Sequence, residues 1–191
     1  TDPKRFYGLY RGKVVNNIDP LELNRLMVEV PTLPGLATSF AMPCSPYGGE
    51  QVGMVFTLPI GADVWVEFEN GDPATPVWVG CFWTEGMKPV LAELPTQQVF
   101  STGSFQAMIN DIPEAAEFLM SWKPPGFAIP CTLSINSETV SFQVADVVFN
   151  INAAEASATM APSNIVMTNE AITITAEPMV SVTAPEISIK G

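Results

Sequence analysis

The chain of 191 residues carries 20 acidic against 8 basic residues, a formal charge of −12, with 47% hydrophobic residues and not one histidine. So negative a surface repels phosphate backbones and anionic headgroups, while the hydrophobic share excludes a wholly disordered chain and allows one large domain or two small ones. The lack of histidine removes the commonest general base, the commonest metal ligand and every Ser-His or Cys-His nucleophile together.

From Phe6 to Val15 the text FYGLYRGKVV reads as a strand, and Asn16-Asn17-Ile18-Asp19-Pro20 as its turn. Leu26, Val28 and Val30 alternate with Met27 and Glu29 to give a second strand ended by Pro31; a helix over Leu21 to Met27, capped by Asp19, is the competing reading. Leu33 to Glu50 is rich in Pro, Gly and Ser and reads as a long loop, followed by a strand or near-strand at Met54 to Leu58. In GADVWVEFENGDPATPVWVG, residues 61–80, Val64, Val66 and Phe68 alternate with Trp65, Glu67 and Glu69, as in a strand with one dry face. Asn70-Gly71-Asp72-Pro73 then turns the chain before Val77 and Val79 resume. Residues 1–92 thus form a small all-β unit of about five strands, the number typical of a barrel.

Residues 93–191 differ in character. Strand-like pieces at Phe105 to Ile109, Glu117 to Trp122 and Cys131 to Ile135 are separated by Asp111-Ile112-Pro113 and Pro124-Pro125-Gly126. After Gly126 no glycine occurs until Gly191, and short alternating strands follow: VSFQV, VVFNI, SATM, NIVMT, AITIT, VSVT and ISI. Their apolar centres, among them Phe142, Phe149, Met167, Ile174, Val182 and Ile189, recur every seven to nine residues, the mark of a coiled or prismatic β structure. Strands this short bury one face and leave their edges unpaired, so partners must supply the rest. Stacked coils within one chain would do so; three chains about a threefold axis suit the short step better, with those six residues as the trimer core. The polar positions are mostly Ser, Thr and Asn, without the exposed aromatics and clustered acids that a glycan-binding or glycan-cleaving face requires. The three cysteines, Cys44, Cys81 and Cys131, are far apart and odd in number; they read as small buried thiols made in a reducing compartment, not as a disulfide framework or zinc site.

The residues 61–83, GADVWVEFENGDPATPVWVGCFW, resemble the oligonucleotide/oligosaccharide-binding (OB) fold domain of contractile-tail spike proteins. The resemblance rests on Gly61, Val64, Val66, Phe68, Gly71, Asp72, Pro73, Pro76, Val77, Val79 and Gly80. YRGKVVNNIDPLELNRLMVEVP is similar to the first hairpin of that domain, and the Gly48-Gly49 to Gly53 loop has a counterpart there. The family spans phage baseplate central spikes, the VgrG proteins of type VI secretion and the spikes of extracellular contractile injection systems. It implies an all-β chain, an N-terminal OB-fold barrel followed by a C-terminal trimeric β-helix or β-prism, acting as a structural spike with no catalysis, cofactor or metal. It also implies a hub or baseplate protein on the N-terminal side, a PAAR-like tip protein at the C-terminal end, and assembly in a bacterial cytoplasm into a particle that meets a target envelope. The valine-glycine dipeptides of many such helices, the lysozyme domain of some phage members and the large hub region of VgrG proteins are absent from these residues. A receptor- or glycan-binding tail fibre is one alternative. An OB-fold nucleic-acid binder is another, disfavoured because residues 1–92 hold six basic against ten acidic residues.

Overall fold

The protein is seen in a computed structural model that describes residues 4–36, 39–177 and 179–180. Its chain divides into two compact units, Thr1–Lys88 and Pro89–Gly191. The first contains seven strands: β1 (Tyr10–Asn16), β2 (Leu26–Glu29), β3 (Ser39–Pro43), β4 (Gly48–Gly49), β5 (Val52–Gly53), β6 (Asp63–Phe68) and β7 (Pro76–Cys81). Five of them close a barrel in the order β1-β2-β3-β7-β6, with β6 pairing back onto β1. All of its pairs are antiparallel except β3 with β7, so the chain between those two strands crosses to bring β7 alongside β3.

Period-two alternation decides what fills the barrel. Val14 on β1, Leu26 and Val28 on β2, Ala41 on β3 and Val64, Val66 and Phe68 on β6 all point inward and are buried. Phe6, Tyr10 and Phe68 close one end with ring centroids 5.6 to 6.3 Å apart, in the tilted and edge-on arrangements aromatic rings prefer. Two register shifts, at Val14/Asn16 between β1 and β2 and at Trp65/Val66 between β6 and β7, add the local twist that lets so few strands curl shut.

The sequence reading of the barrel needs two corrections. Ser39–Pro43, read as part of a loop, is β3 and joins both β2 and β7. Only Ala41 of its side chains is fully buried, so the strand has almost no apolar alternation to announce it, and its neighbouring prolines speak for a loop. Met54 to Leu58, read as a strand or near-strand, makes no ladder; its carbonyls instead accept from side chains of the β1–β2 loop, Asn17 Nδ2 to the Leu58 carbonyl at 2.9 Å and Asn24 Nδ2 to that of Phe56 at 3.3 Å. The helix alternative for Leu21 to Met27 does not form.

Among the described residues the second unit holds nine strands: β8 (Gln97–Ser101), β9 (Phe105–Asn110), β10 (Glu117–Trp122), β11 (Cys131–Asn136), β12 (Thr139–Val144), β13 (Val147–Asn152), β14 (Glu155–Met160), β15 (Ser163–Thr168) and β16 (Ile172–Thr175). They make one sheet in which every strand pairs antiparallel with the next. Stacked parallel coils within one chain are therefore not formed among the described residues. Val182 and Ile189 lie outside them.

Gly12 faces inward between β2 and β6. A Cβ there would sit 2.8 Å from Cγ2 of Val66 and 3.3 Å from the Glu29 carbonyl oxygen, and Val66, at 0% exposure, has nowhere to move. Gly12→Ala is expected to cost about 1–3 kcal/mol by overpacking. The check is a urea titration of the full chain, in which the midpoint of the barrel transition falls; an unchanged midpoint would show that the barrel has room to relax.

Candidate functional site

Two surfaces qualify as functional: the barrel with its loops, and one face of the long sheet. In the barrel, the 61–80 hairpin is a piece of architecture. Gly61, at φ +88°, donates its N–H to the Val14 carbonyl at 2.8 Å and so starts β6 against β1. Val64, Val66 and Phe68 are core. Asn70 and Gly71 both take positive φ, and Gly71 has no room for a side chain, since a Cβ would lie 3.0 Å from the Tyr7 ring and 3.1 Å from the Phe6 nitrogen. Phe6 donates to the Gly71 carbonyl at 2.9 Å, which ties the N-terminal segment across the turn.

Asp72 shapes the turn: its Oδ1 accepts the Ala74 N–H at 3.0 Å, its backbone N–H donates to Glu69 and its carbonyl accepts from Thr75. Pro73 follows where no ladder donor is needed. Pro76 and Trp78 are the inward residues of β7, so Val79 of the motif lies on the half-exposed side, with Gly80 opposite Trp65 beside the register shift. Trp78 was not marked by the sequence pattern, because the shift changes which parity of β7 faces inward. Glu67 and Glu69 are exposed, so the hairpin's acids form no paired-carboxylate centre. Among the described residues no group of three His, Cys, Asp or Glu is arranged to hold a metal ion.

The strongest local electrostatics belong to the β1–β2 loop. Asp19, nearly covered, accepts the backbone N–H groups of Leu21, Leu23 and Arg25 at 2.9 to 3.1 Å and the Arg25 guanidinium at 2.7 Å. The bond from Arg25 holds the Asp19 carboxyl far below its ordinary value of 3.8; burial pulls the other way and loses, and the backbone donors add to the lowering. The Arg25 guanidinium also stacks 5.0 Å from the Phe40 ring on β3, which locks the loop to the barrel wall. On the outer wall, Arg11 lies 5.4 Å from the Trp65 ring and 4.9 Å from that of Phe82.

The cysteines depart from their expected burial. Cys44 and Cys81 are exposed and Cys131 is half-buried, all three as free thiols. Cys44 follows the end of β3 and Cys81 is the last residue of β7, positions beyond the barrel core; partial desolvation pushes the Cys81 thiol up, which keeps it protonated and unreactive at neutral pH.

The sheet surface is defined by register. Directly opposed residues in an antiparallel pair share a face. The pairings Phe105 with Trp122, Met120 with Leu133, Leu133 with Phe142, Phe142 with Phe149, Phe149 with Ala158, Ala158 with Ile165 and Ile165 with Ile174 put all of these on one side. Ile109, Phe118, Ile135, Val140, Ile151 and Met167 join them two residues along. The other side of β11 to β16 carries Thr132, Ser134, Ser141, Gln143, Asn150, Ser157, Thr159, Asn164, Thr173 and Thr175, with Val148 and Val166 as exceptions. Phe142, Phe149, Met167 and Ile174, predicted to share a core, do share a face, and the rings of Phe142 and Phe149 stack at 6.3 Å. Among the described residues that face is open: Phe142 and Phe149 are each 44% exposed and Ile172 69%.

With the barrel and the sheet described, the barrel can be compared with known families. Residues 10–83 match the family model of the type VI secretion system/phage-baseplate injector OB domain. That span takes in all five barrel strands and stops before the sheet unit, so strand order and sequence point to the same kind of domain. No curated protein matches the chain. The injector OB domain thus accounts for the hairpin motif and leaves the nine-stranded sheet to be explained by its own physics.

The Asp19 geometry gives a pH dependence with a definite sign. A carboxyl whose folded value is depressed contributes stability that is full above the unfolded value, near 3.8, and is lost as pH falls through the folded one. The barrel's melting temperature should therefore drop below about pH 4. Asp19→Asn is expected to lower the melting temperature at pH 7 and to flatten that acid limb; a limb as steep as the parent's would assign it to other carboxylates.

Proposed function

We propose that the chain is a structural spike component of a contractile, phage-tail-like injection machine, and that three copies assemble about the apolar faces of their sheets. In this reading the injector OB barrel docks to a hub or baseplate protein. The trimerised sheets form a β-prism that is driven through a target envelope by sheath contraction, with a PAAR-like protein at the C-terminal end. The particle is assembled in a bacterial cytoplasm and works outside it. No catalytic step, cofactor or nucleic acid enters.

The observation that carries this reading is the apolar face running from Phe105 on β9 to Ile174 on β16, in the same chain as a barrel that matches the injector OB domain. Exposed apolar patches of more than a few hundred Å² are uncommon on monomeric soluble proteins and mark surfaces that other molecules cover. A second copy offers the same apolar row at the same strand spacing, and three rows meeting about an axis exclude water from all of them while the Ser, Thr and Asn side stays wet. A glycan-binding groove is supported less well, because the exposed aromatics Phe142 and Phe149 sit within an aliphatic row and not beside clustered acids.

Burial of each Phe ring contributes about 1.5–3 kcal/mol per chain. In Phe149→Asp, three carboxylates would be forced toward one axis, where repulsion and desolvation add to the loss of the rings. The expected result is loss of the trimer with the barrel still folded, seen by light scattering together with the barrel's own unfolding transition; Glu67→Gln, on the exposed side of β6, should leave the assembly unchanged. A parent chain that is monodisperse and monomeric at micromolar concentration overturns the proposal.

A further inference from the structure

From β11 onward, pairing across the sheet advances by two alternating intervals. From Leu133 the line of opposed apolar residues runs to Phe142, Phe149, Ala158, Ile165 and Ile174, steps of 9, 7, 9, 7 and 9 residues. Two strands with their two turns therefore consume 16 residues. The turns keep the same period. Asn136 Oδ1 accepts the N–H groups of Glu138 and Thr139, Asn152 Oδ1 those of Ala154 and Glu155, and Thr168 Oγ1 those of Glu170 and Ala171, all at 2.8 to 3.2 Å. These three turn-forming side chains sit 16 residues apart at one end of the strands, and the two-residue connections Ala145-Asp146 and Ala161-Pro162 sit 16 apart at the other.

Half that interval is out of phase. Eight residues after Val147, on the apolar side, comes Glu155, which opposes Thr168 on the polar side. A chain that lost eight residues would turn every later side chain to the wrong face, since the side-chain period is two and the turn lengths are fixed.

We propose that the 16-residue strand pair is the unit of length of this sheet from β11 onward, that whole units can be removed or added there without disturbing either face, and that the number of units sets the reach of the spike. The inference rests on the spike reading only for what the length serves. Removing residues 147–162 joins Asp146 to Ser163: β12 then pairs with β15, Phe142 meets Ile165, Val140 meets Met167, and the Thr168 turn takes the end that Asn152 held. Apolar still opposes apolar. The sheet shortens by two strands, about 10 Å at the usual spacing.

The experiment uses the full chain in four forms: the parent, a deletion of residues 147–162, a tandem duplication of 147–162, and a deletion of 147–154. Small-angle scattering gives the longest dimension, light scattering the number of copies, and a thermal scan the cooperativity of unfolding. Expected are a dimension about 10 Å shorter for the 16-residue deletion and about 10 Å longer for the duplication, both with the parent's copy number and a cooperative melt. The 147–154 deletion should aggregate or lose its copy number. The unit is refuted if the two deletions behave alike, or if the duplication fails to fold or leaves the length unchanged. Stepwise lengths in a chain that proves not to join any injection particle would instead uphold the unit and refute the spike reading.

Discussion

A β-ladder puts successive side chains on opposite faces, and from β11 onward this chain places its apolar residues on one of them, Val148 and Val166 excepted. That single constraint governs the molecule. From Phe105 to Ile174 each hairpin returns the apolar row to the same side, while the other side is polar from β11 onward and carries Val99, Met108 and Leu119 on β8 to β10. No second layer within the sheet covers the dry side. A layer of that kind gains its hydrophobic stabilisation when something packs on it, in keeping with the general rule that domains need at least two packed layers.

The barrel meets the same constraint by curling. It has register shifts in β1–β2 and β6–β7, and an inward glycine at position 12 where side chains would collide. Such irregularities sharpen twist and let five strands close on themselves, so that every inward side chain finds partners within the unit. The long sheet has none of them from β10 onward: its registers run without a shift, and no glycine interrupts residues 127–190. One half of the chain therefore completes its core within the unit, and the other leaves an apolar face exposed among the described residues.

Charge is distributed to match. The outward rows of β11 to β16 are Ser, Thr, Asn and Gln with few acids, so neighbouring strands in the ladder escape like-charge repulsion. In the barrel the Asp19–Arg25 pair is consumed internally: the carboxylate organises three backbone donors and the guanidinium packs on Phe40. It holds the β1–β2 loop in one shape against the barrel wall.

Much of this was legible from the residues. The Val64, Val66, Phe68 alternation, the Asn-Gly-Asp-Pro turn and the inward row Leu26, Val28, Val30 all came out as read, because a strand with one buried face writes its period directly into the sequence. The shared face of Phe142, Phe149, Met167 and Ile174 was legible for the same reason. What sequence alone left undecided depends on contacts distant along the chain. β3 is a strand only because β2 and β7 flank it, and Trp78 points inward only because a register shift with β6 changes the parity of β7. The exposure of Cys44 and Cys81 follows from where their strands end. From β11 onward the seven-to-nine-residue step resolves into 16 only through antiparallel pairing, which sets steps of nine and seven in alternation, each odd so that the hairpin returns its side chains to the same face. Local alternation is a property of neighbours and can be read; register, parity and closure belong to pairs of strands and appear only when the chain is folded.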